Sequence, residues 1–157
     1  MKSLVVFYTR SGTTKKATEA ISRVLECNVE EIVDTKNRKG LFGWLRSGRD
    51  AMRKRTTIIQ PIKHNPADYD IVIMGTPVWG GMPAPAIRTY ITQNKDNLKK
   101  VAFFCTCGSS GMDKTFAELG KLCSKDPIAL LDVNAKEIKS GGFGDKVKHF
   151  TGKIKQG

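Results

Sequence analysis

The sequence predicts an α/β three-layer sandwich: a parallel sheet with helices packed on both faces. Three observations point there. Short apolar runs alternate with helix-like segments five times along 157 residues. The runs are continuously apolar, as in strands buried on both faces. Gly, Pro, Ser and Thr gather just after the first, third and fourth runs. Sheets of this kind bind ligands beyond the carboxyl ends of their strands, where the strand order switches. Those three loops are therefore the candidate site. The length suits one domain over residues 1–157.

Leu4-Val5-Val6-Phe7-Tyr8 forms the first strand. It is too short for a secretory signal and lacks a small-residue cleavage site. Thr13 or Thr14 opens a helix in which Ala17, Ile21, Val24 and Leu25 recur at helical spacing. Cys27 to Val33 is the second strand. Residues 41–54 read as a basic amphipathic helix. Its apolar stripe of Leu41, Phe42, Trp44, Leu45, Ala51 and Met52 is expected to pack on the sheet, with membrane or partner contact the lesser alternative. Ile71 to Met74 is the third strand, and Thr76 to Pro85 a Gly- and Pro-rich loop. A helix over about 86–92, a strand over 101–105, a turn over 108–111 and a helix over about 114–123 follow. A strand over 128–133 and a basic helix over 146–155 complete the order.

Lys and Arg number 27 against 15 Asp and Glu, a net charge of +12 with pI near 9.7. Eight cations fall between Lys36 and Arg55, opposed only by Asp50. Such a balance speaks of partners rather than fold: an acidic protein, an anionic membrane surface or weak nucleic-acid contact, if not simply solvated lysine. No nucleic-acid motif accompanies the charge, so specific nucleic-acid binding is not expected. No apolar run reaches the roughly 20 residues of a membrane span. Cys27, Cys105, Cys107 and Cys123 form no C-x-x-C pair and no His cluster joins them, so no metal site is expected. Packed thiols in a reducing cytoplasm are the simpler reading.

The loop after the first strand, Thr9-Arg10-Ser11-Gly12-Thr13-Thr14, offers hydroxyls, a glycine turn and a helix N-terminus. That combination suits a phosphate; ordinary N-capping by Ser and Thr is the alternative. Neither G-x-x-x-x-G-K-[ST] nor G-x-G-x-x-G is present, so a monophosphate ester fits better than a triphosphate or dinucleotide. Gly75-Thr76-Pro77-Val78-Trp79-Gly80-Gly81 with Pro83-Ala84-Pro85 follows the third strand. Trp79 among small residues suits stacking on a flat heterocycle, or plugging the core. Thr106-Cys107-Gly108-Ser109-Ser110-Gly111-Met112 follows the fourth and suits the polar edge of a ring. Cys107 as a redox thiol lacks a recognisable base beside it.

These three loops resemble those of the flavodoxin family, and the resemblance covers nearly the whole chain. Thr9-x-Ser11-Gly12-x-Thr14 is similar to the family's phosphate loop, T-x-[ST]-G-x-T. The resemblance implies a flavodoxin-like sheet of five parallel strands in the order 2-1-3-4-5, and non-covalent FMN. It places Thr9, Arg10, Ser11, Gly12, Thr13 and Thr14 at the phosphate. Thr76, Pro77, Val78, Trp79, Gly80 and Gly81 would line one side of the isoalloxazine, and Cys107, Gly108, Ser109 and Met112 would approach its other edge. Gly80 or Gly81 would supply a carbonyl that turns toward the flavin N5. The uninterrupted last strand resembles the short-chain type. The basic charge departs from the acidic electron carriers of the family.

The implied function is an FMN electron carrier, monomeric or weakly dimeric, serving redox partner proteins such as acidic ferredoxins or oxidoreductases. An FMN-dependent NAD(P)H or quinone reductase is the alternative, although no acid–base residue stands out: His64 and His149 lie outside the ring loops. A binding module without flavin is the third reading.

Overall fold

The computed structural model describes residues 1–157. Its strands are β1 (Ser3–Phe7), β2 (Asn28–Glu31), β3 (Ile71–Trp79), β4 (Met82–Pro83), β5 (Lys100–Cys107) and β6 (Leu130–Asn134). Its helices are α1 (Thr13–Leu25), α2 (Gly40–Met52), α3 (Pro85–Asn94), α4 (Met112–Cys123), α5 (Ala135–Ser140) and α6 (Gly144–Gln156). The sheet runs β2-β1-β3-β5-β6, all parallel, and β4 pairs antiparallel with the end of β3. With that hairpin strand set aside, the order is the expected 2-1-3-4-5.

Side chains alternate between two cores, as strand geometry requires. Leu4, Val6, Val72, Met74, Val101 and Phe103 meet Ile87, Tyr90 and Ile91 of α3 and Leu119 of α4. On the other face Val5, Phe7, Ile71, Ile73 and Phe104 meet Ala17 and Ile21 of α1 and Val147, Phe150 and Ile154 of α6. Each fully buried Leu, Ile, Val or Phe contributes about 1.5–3 kcal/mol. Val24, at core spacing in the sequence, is exposed instead. The second strand is shorter than expected. β3 and β5 run longer, which puts Trp79 and Cys107 at strand ends rather than in loops. No helix is long and apolar enough to cross a membrane.

Helix α2 forms close to where its periodicity places it, but it faces the other way. Gly43, Ser47, Asp50 and Ala51 are buried, whereas Leu41, Phe42, Trp44, Leu45 and Met52 are exposed. The expected packing of the apolar stripe on the sheet is therefore wrong; of those six residues only Ala51 is buried. The reason lies beneath the helix. Gly43 rests so closely on the Arg38 backbone that a β-carbon there would collide with its carbonyl. The Arg38 side chain is buried between two carboxylates. Its Nε donates to Asp34 Oδ2 at 2.6 Å and its guanidinium to Asp50 Oδ2 at 3.3 Å. Thr57 Oγ1 donates to the other Asp34 oxygen at 2.7 Å. Small side chains and an ion cluster dock α2, and larger apolar ones have no room below.

Burial opposes ionisation of Asp50, but the hydrogen bond and charge of Arg38, aided by Arg49 and Lys36, outweigh it and hold the carboxyl below its usual range. A group with a depressed folded pKa stabilises the fold above its unfolded pKa and loses that contribution as pH falls through the folded value. Asp50→Asn leaves a buried guanidinium half-compensated. It should lower stability by about 3 kcal/mol at neutral pH. Urea unfolding should show the gap between wild type and variant narrowing once pH falls below about 4. An unchanged midpoint would mean that α2 is held by something else.

Candidate functional site

Strand register brings three chain segments to one edge. Phe7 stands beside Gly75, Gly75 beside Phe104, and Pro77 beside Thr106. The segments that follow therefore leave the sheet together.

The first segment joins β1 to α1. Gly12, at φ 89°, caps the helix without any side-chain cap. Its own N–H donates to Thr9 Oγ1 at 2.9 Å, which folds the loop back on itself. The first-turn N–H groups of Thr13, Thr14 and Lys15 have no partner within the helix. They carry the positive end of its dipole. Ser11 Oγ and Thr13 Oγ1 lie 3.4 Å apart beside them. Thr14 is different: it is buried, and its hydroxyl shares a 2.8 Å hydrogen bond with Thr106 on β5. It ties the loop to the sheet as well as bordering the cleft.

The second segment is a hairpin. Val78 pairs with Pro83 and Trp79 with Met82, which leaves Gly80 and Gly81 as a two-residue turn. Both have positive φ, 60° and 76°, the geometry that hairpin turns of this length favour and that glycine adopts without strain. Trp79 stands half-buried, edge-on to Tyr8 at 5.6 Å between ring centres. The Arg38 guanidinium approaches its ring at 5.9 Å, within cation–π range. It packs against the core and also borders the cleft. Thr76 does not face the cleft. It is fully buried, donating to the Pro77 carbonyl and accepting from the Ala84 N–H, both at 2.9 Å. It shapes the hairpin from behind.

The third segment runs from Cys107 to α4. Gly111, at φ 91°, caps α4 without a side-chain cap, repeating the arrangement at α1. A β-carbon on Gly111 would lie 2.9 Å from Gly81 Cα and 3.0 Å from Val78, so two left-handed glycines let these segments touch. Burial, then the Asp132 carboxylate, pushes the Cys107 thiol up, which keeps it protonated at neutral pH.

A cleft of about 190 Å³ opens where the segments meet. Thr9, Arg10, Ser11, Thr13 and Thr14 form one wall, Pro77, Val78 and Trp79 another, and Cys107 and Gly108 a third. Ten of the sixteen residues singled out in the sequence thus converge on it. Gly80 and Gly81 border an adjoining cavity of about 550 Å³, together with Ser110, Gly111 and Lys114. Val78 lines both. Gly12 shapes the first loop from its cap position. Ser109 and Met112 line neither cavity. Two further residues line the cleft. Thr106 belongs to the loop read after the fourth strand, though it was given no role of its own. Ala135 follows β6, a strand end that carries no Gly- or Ser-rich signal.

The family model for flavodoxin matches residues 2–136, and the chain belongs to the flavodoxin family. Among solved structures it is similar to a flavoprotein from Lactobacillus acidophilus in complex with FMN, at 22% identity and TM-score 0.72, over 88% of this chain and 97% of that one. The apo-form of the Lactobacillus flavoprotein matches with TM-score 0.64 at 22% identity, over 88% of this chain and 95% of that one. Oxidised flavodoxin 1 from Bacillus cereus is 17% identical with TM-score 0.54, over 95% of this chain and 98% of that one. No curated protein matches by sequence.

Gly12 and Gly111 both need a left-handed backbone, but a β-carbon on Gly12 would meet nothing within 4 Å. Gly12→Ala should therefore lose only the conformational term, about 1–2 kcal/mol. Gly111→Ala should lose more, because the segments must also part. Urea unfolding of the two variants checks the order, and equal losses would deny the close contact.

Proposed function

We propose that this chain binds FMN non-covalently in the cleft and serves as an electron carrier. The single observation that carries the reading is the meeting in one cleft of an uncapped, hydroxyl-rich helix N-terminus with Trp79 at the end of a double-glycine hairpin. Family membership supports it, as does FMN in the Lactobacillus relative.

The residues present fit such a group. First-turn amides of α1 with Ser11 and Thr13 hold the phosphate, and Arg10 adds a cation at the rim. No Thr14 hydroxyl need be freed for this, since the backbone supplies the donors. Val78, Trp79, Gly80 and Gly81 cover one side of the ring, and Cys107 and Gly108 approach its edge. Bound FMN supplies reversible one- and two-electron chemistry. The chain's part is to hold the ring dry between apolar walls and to present backbone N–H and C=O groups to its polar rim. A protonated Cys107 acts there as a small packing group. The charge of +12 draws anionic redox partners. The cysteines are free thiols, in keeping with a reducing cytoplasm.

A reductase acting on a small acceptor is the second reading. A groove of about 650 Å³ beside Trp79, walled by Trp44, Met52 and Val78, favours it. Pockets of that volume hold small molecules.

The purified apoprotein should quench FMN fluorescence with micromolar affinity and bind riboflavin, which lacks the phosphate, more weakly. Trp79→Ala should weaken FMN by roughly 3- to 10-fold. Failure to bind FMN at micromolar concentration sinks the reading. Rapid NAD(P)H oxidation with a quinone as sole acceptor would move the assignment from carrier to reductase.

A further inference from the structure

Helix α2 presents an outer surface that the cleft does not use. Phe42 is 85% exposed and Leu41 69%, with Trp44, Leu45 and Met52 each more than half exposed. Five large apolar side chains on one thirteen-residue helix far exceed the scattered exposure of an ordinary surface. At 100° per residue, Trp44, Met52, Leu41 and Leu45 span one arc that runs from the edge of the buried face, beside Ala51, round to its far side. Arg49, Arg53 and Arg46 occupy the next arc, with Phe42 among them. Lys36, Lys39, Arg46 and Arg53 have no carboxylate within 4 Å. The helix thus combines protruding apolar groups with unpaired cations along one flank.

We propose that the outer face of α2 docks on an anionic lipid surface, with Leu41, Phe42 and Leu45 entering the headgroup region and Arg46 and Arg53 meeting lipid phosphates. Charge complementarity selects the occupant, since uncompensated cations flank the apolar arc and each basic residue near an anionic leaflet adds about 1 kcal/mol. The shape selects it too. Side chains that project this far fit a deformable medium, whereas a folded acidic protein would need matching pockets. Trp44 sits at the margin of the apolar arc, a position aromatic side chains favour at the lipid–water boundary. The underside explains why the arrangement is stable: α2 is fixed to the body by Gly43, Ser47 and the Arg38–Asp50 pair, so Leu41 and Phe42, which line neither cavity, are spare.

The test uses the full chain and vesicles of phosphatidylcholine, with or without a quarter of phosphatidylglycerol. Wild type should pellet with the anionic vesicles and stay in the supernatant with the neutral ones. Tryptophan emission should shift to the blue on binding. Leu41→Ser/Phe42→Ser should reduce partitioning by about tenfold, and Lys39→Gln/Arg46→Gln by roughly tenfold or more. All four positions are exposed and line neither the cleft nor the groove beside Trp79, so circular dichroism and FMN binding should match wild type. A failure of FMN binding in wild type therefore leaves this test standing. Wild type remaining in the supernatant overturns the proposal, as does undiminished pelleting of Leu41→Ser/Phe42→Ser. A wild-type dimer abolished by that variant, without vesicle binding, gives the face to a second copy instead.

Discussion

The phenyl ring of Phe104 lies where a β-carbon on Gly75 would be, the two residues facing each other across the central strands β3 and β5. This interlock pins the register. A slip of one residue would turn every side chain of the strand to the wrong core and drive a β-carbon into the ring. With the register fixed, Pro77 comes level with Thr106, the Thr106 hydroxyl meets Thr14, and Gly81 of the hairpin reaches Gly111. The cleft is a consequence of that alignment rather than of any one loop.

The strand order and most helices were legible because their signals are strong and local. Strands buried on both faces must carry continuous apolar runs, and Leu4–Phe7 of β1, Ile71–Met74 of β3 and Val101–Cys105 of β5 are such runs. The two-residue β4 and six-residue α5 fall below the length at which periodicity carries information. A shorter signal for α5 did exist: Asn134 and Glu137 cap each other reciprocally, an N-x-x-E spacing readable in the sequence. The face of α2 was the deeper failure. Periodicity located the helix, but the rule that the apolar arc points inward assumes that burial of large side chains does the docking. Here Gly43 and Ser47 admit close backbone approach, and Asp50 answers a buried arginine whose other partner, Asp34, lies outside the helix. Asp34 and Arg38 lie four apart but outside any helix, where that spacing carries no signal, and Asp50 comes twelve residues later.

The candidate site divides along similar lines. Backbone-defined features were readable: the glycine cap of α1, the paired glycines of the hairpin, and the hydroxyls between them. Side-chain direction was less so. Thr76 sits in the right segment but points into the core, because its hydroxyl is needed by the Ala84 amide. Trp79 looked like a turn residue because glycines follow it; strand pairing with Met82 carries β3 two residues past Pro77, so the indole leaves a rigid element. Such anchoring suits a group that must hold its position beside a ligand.

The ionic underside of α2 has a thermal consequence. The penalty for stripping water from charged groups diminishes on heating, while the gain from burying hydrocarbon levels off. A helix fastened through Asp34, Arg38 and Asp50 therefore keeps its grip comparatively well as temperature rises. The share of the fold's stability that rests on this seam should therefore grow on warming rather than fade.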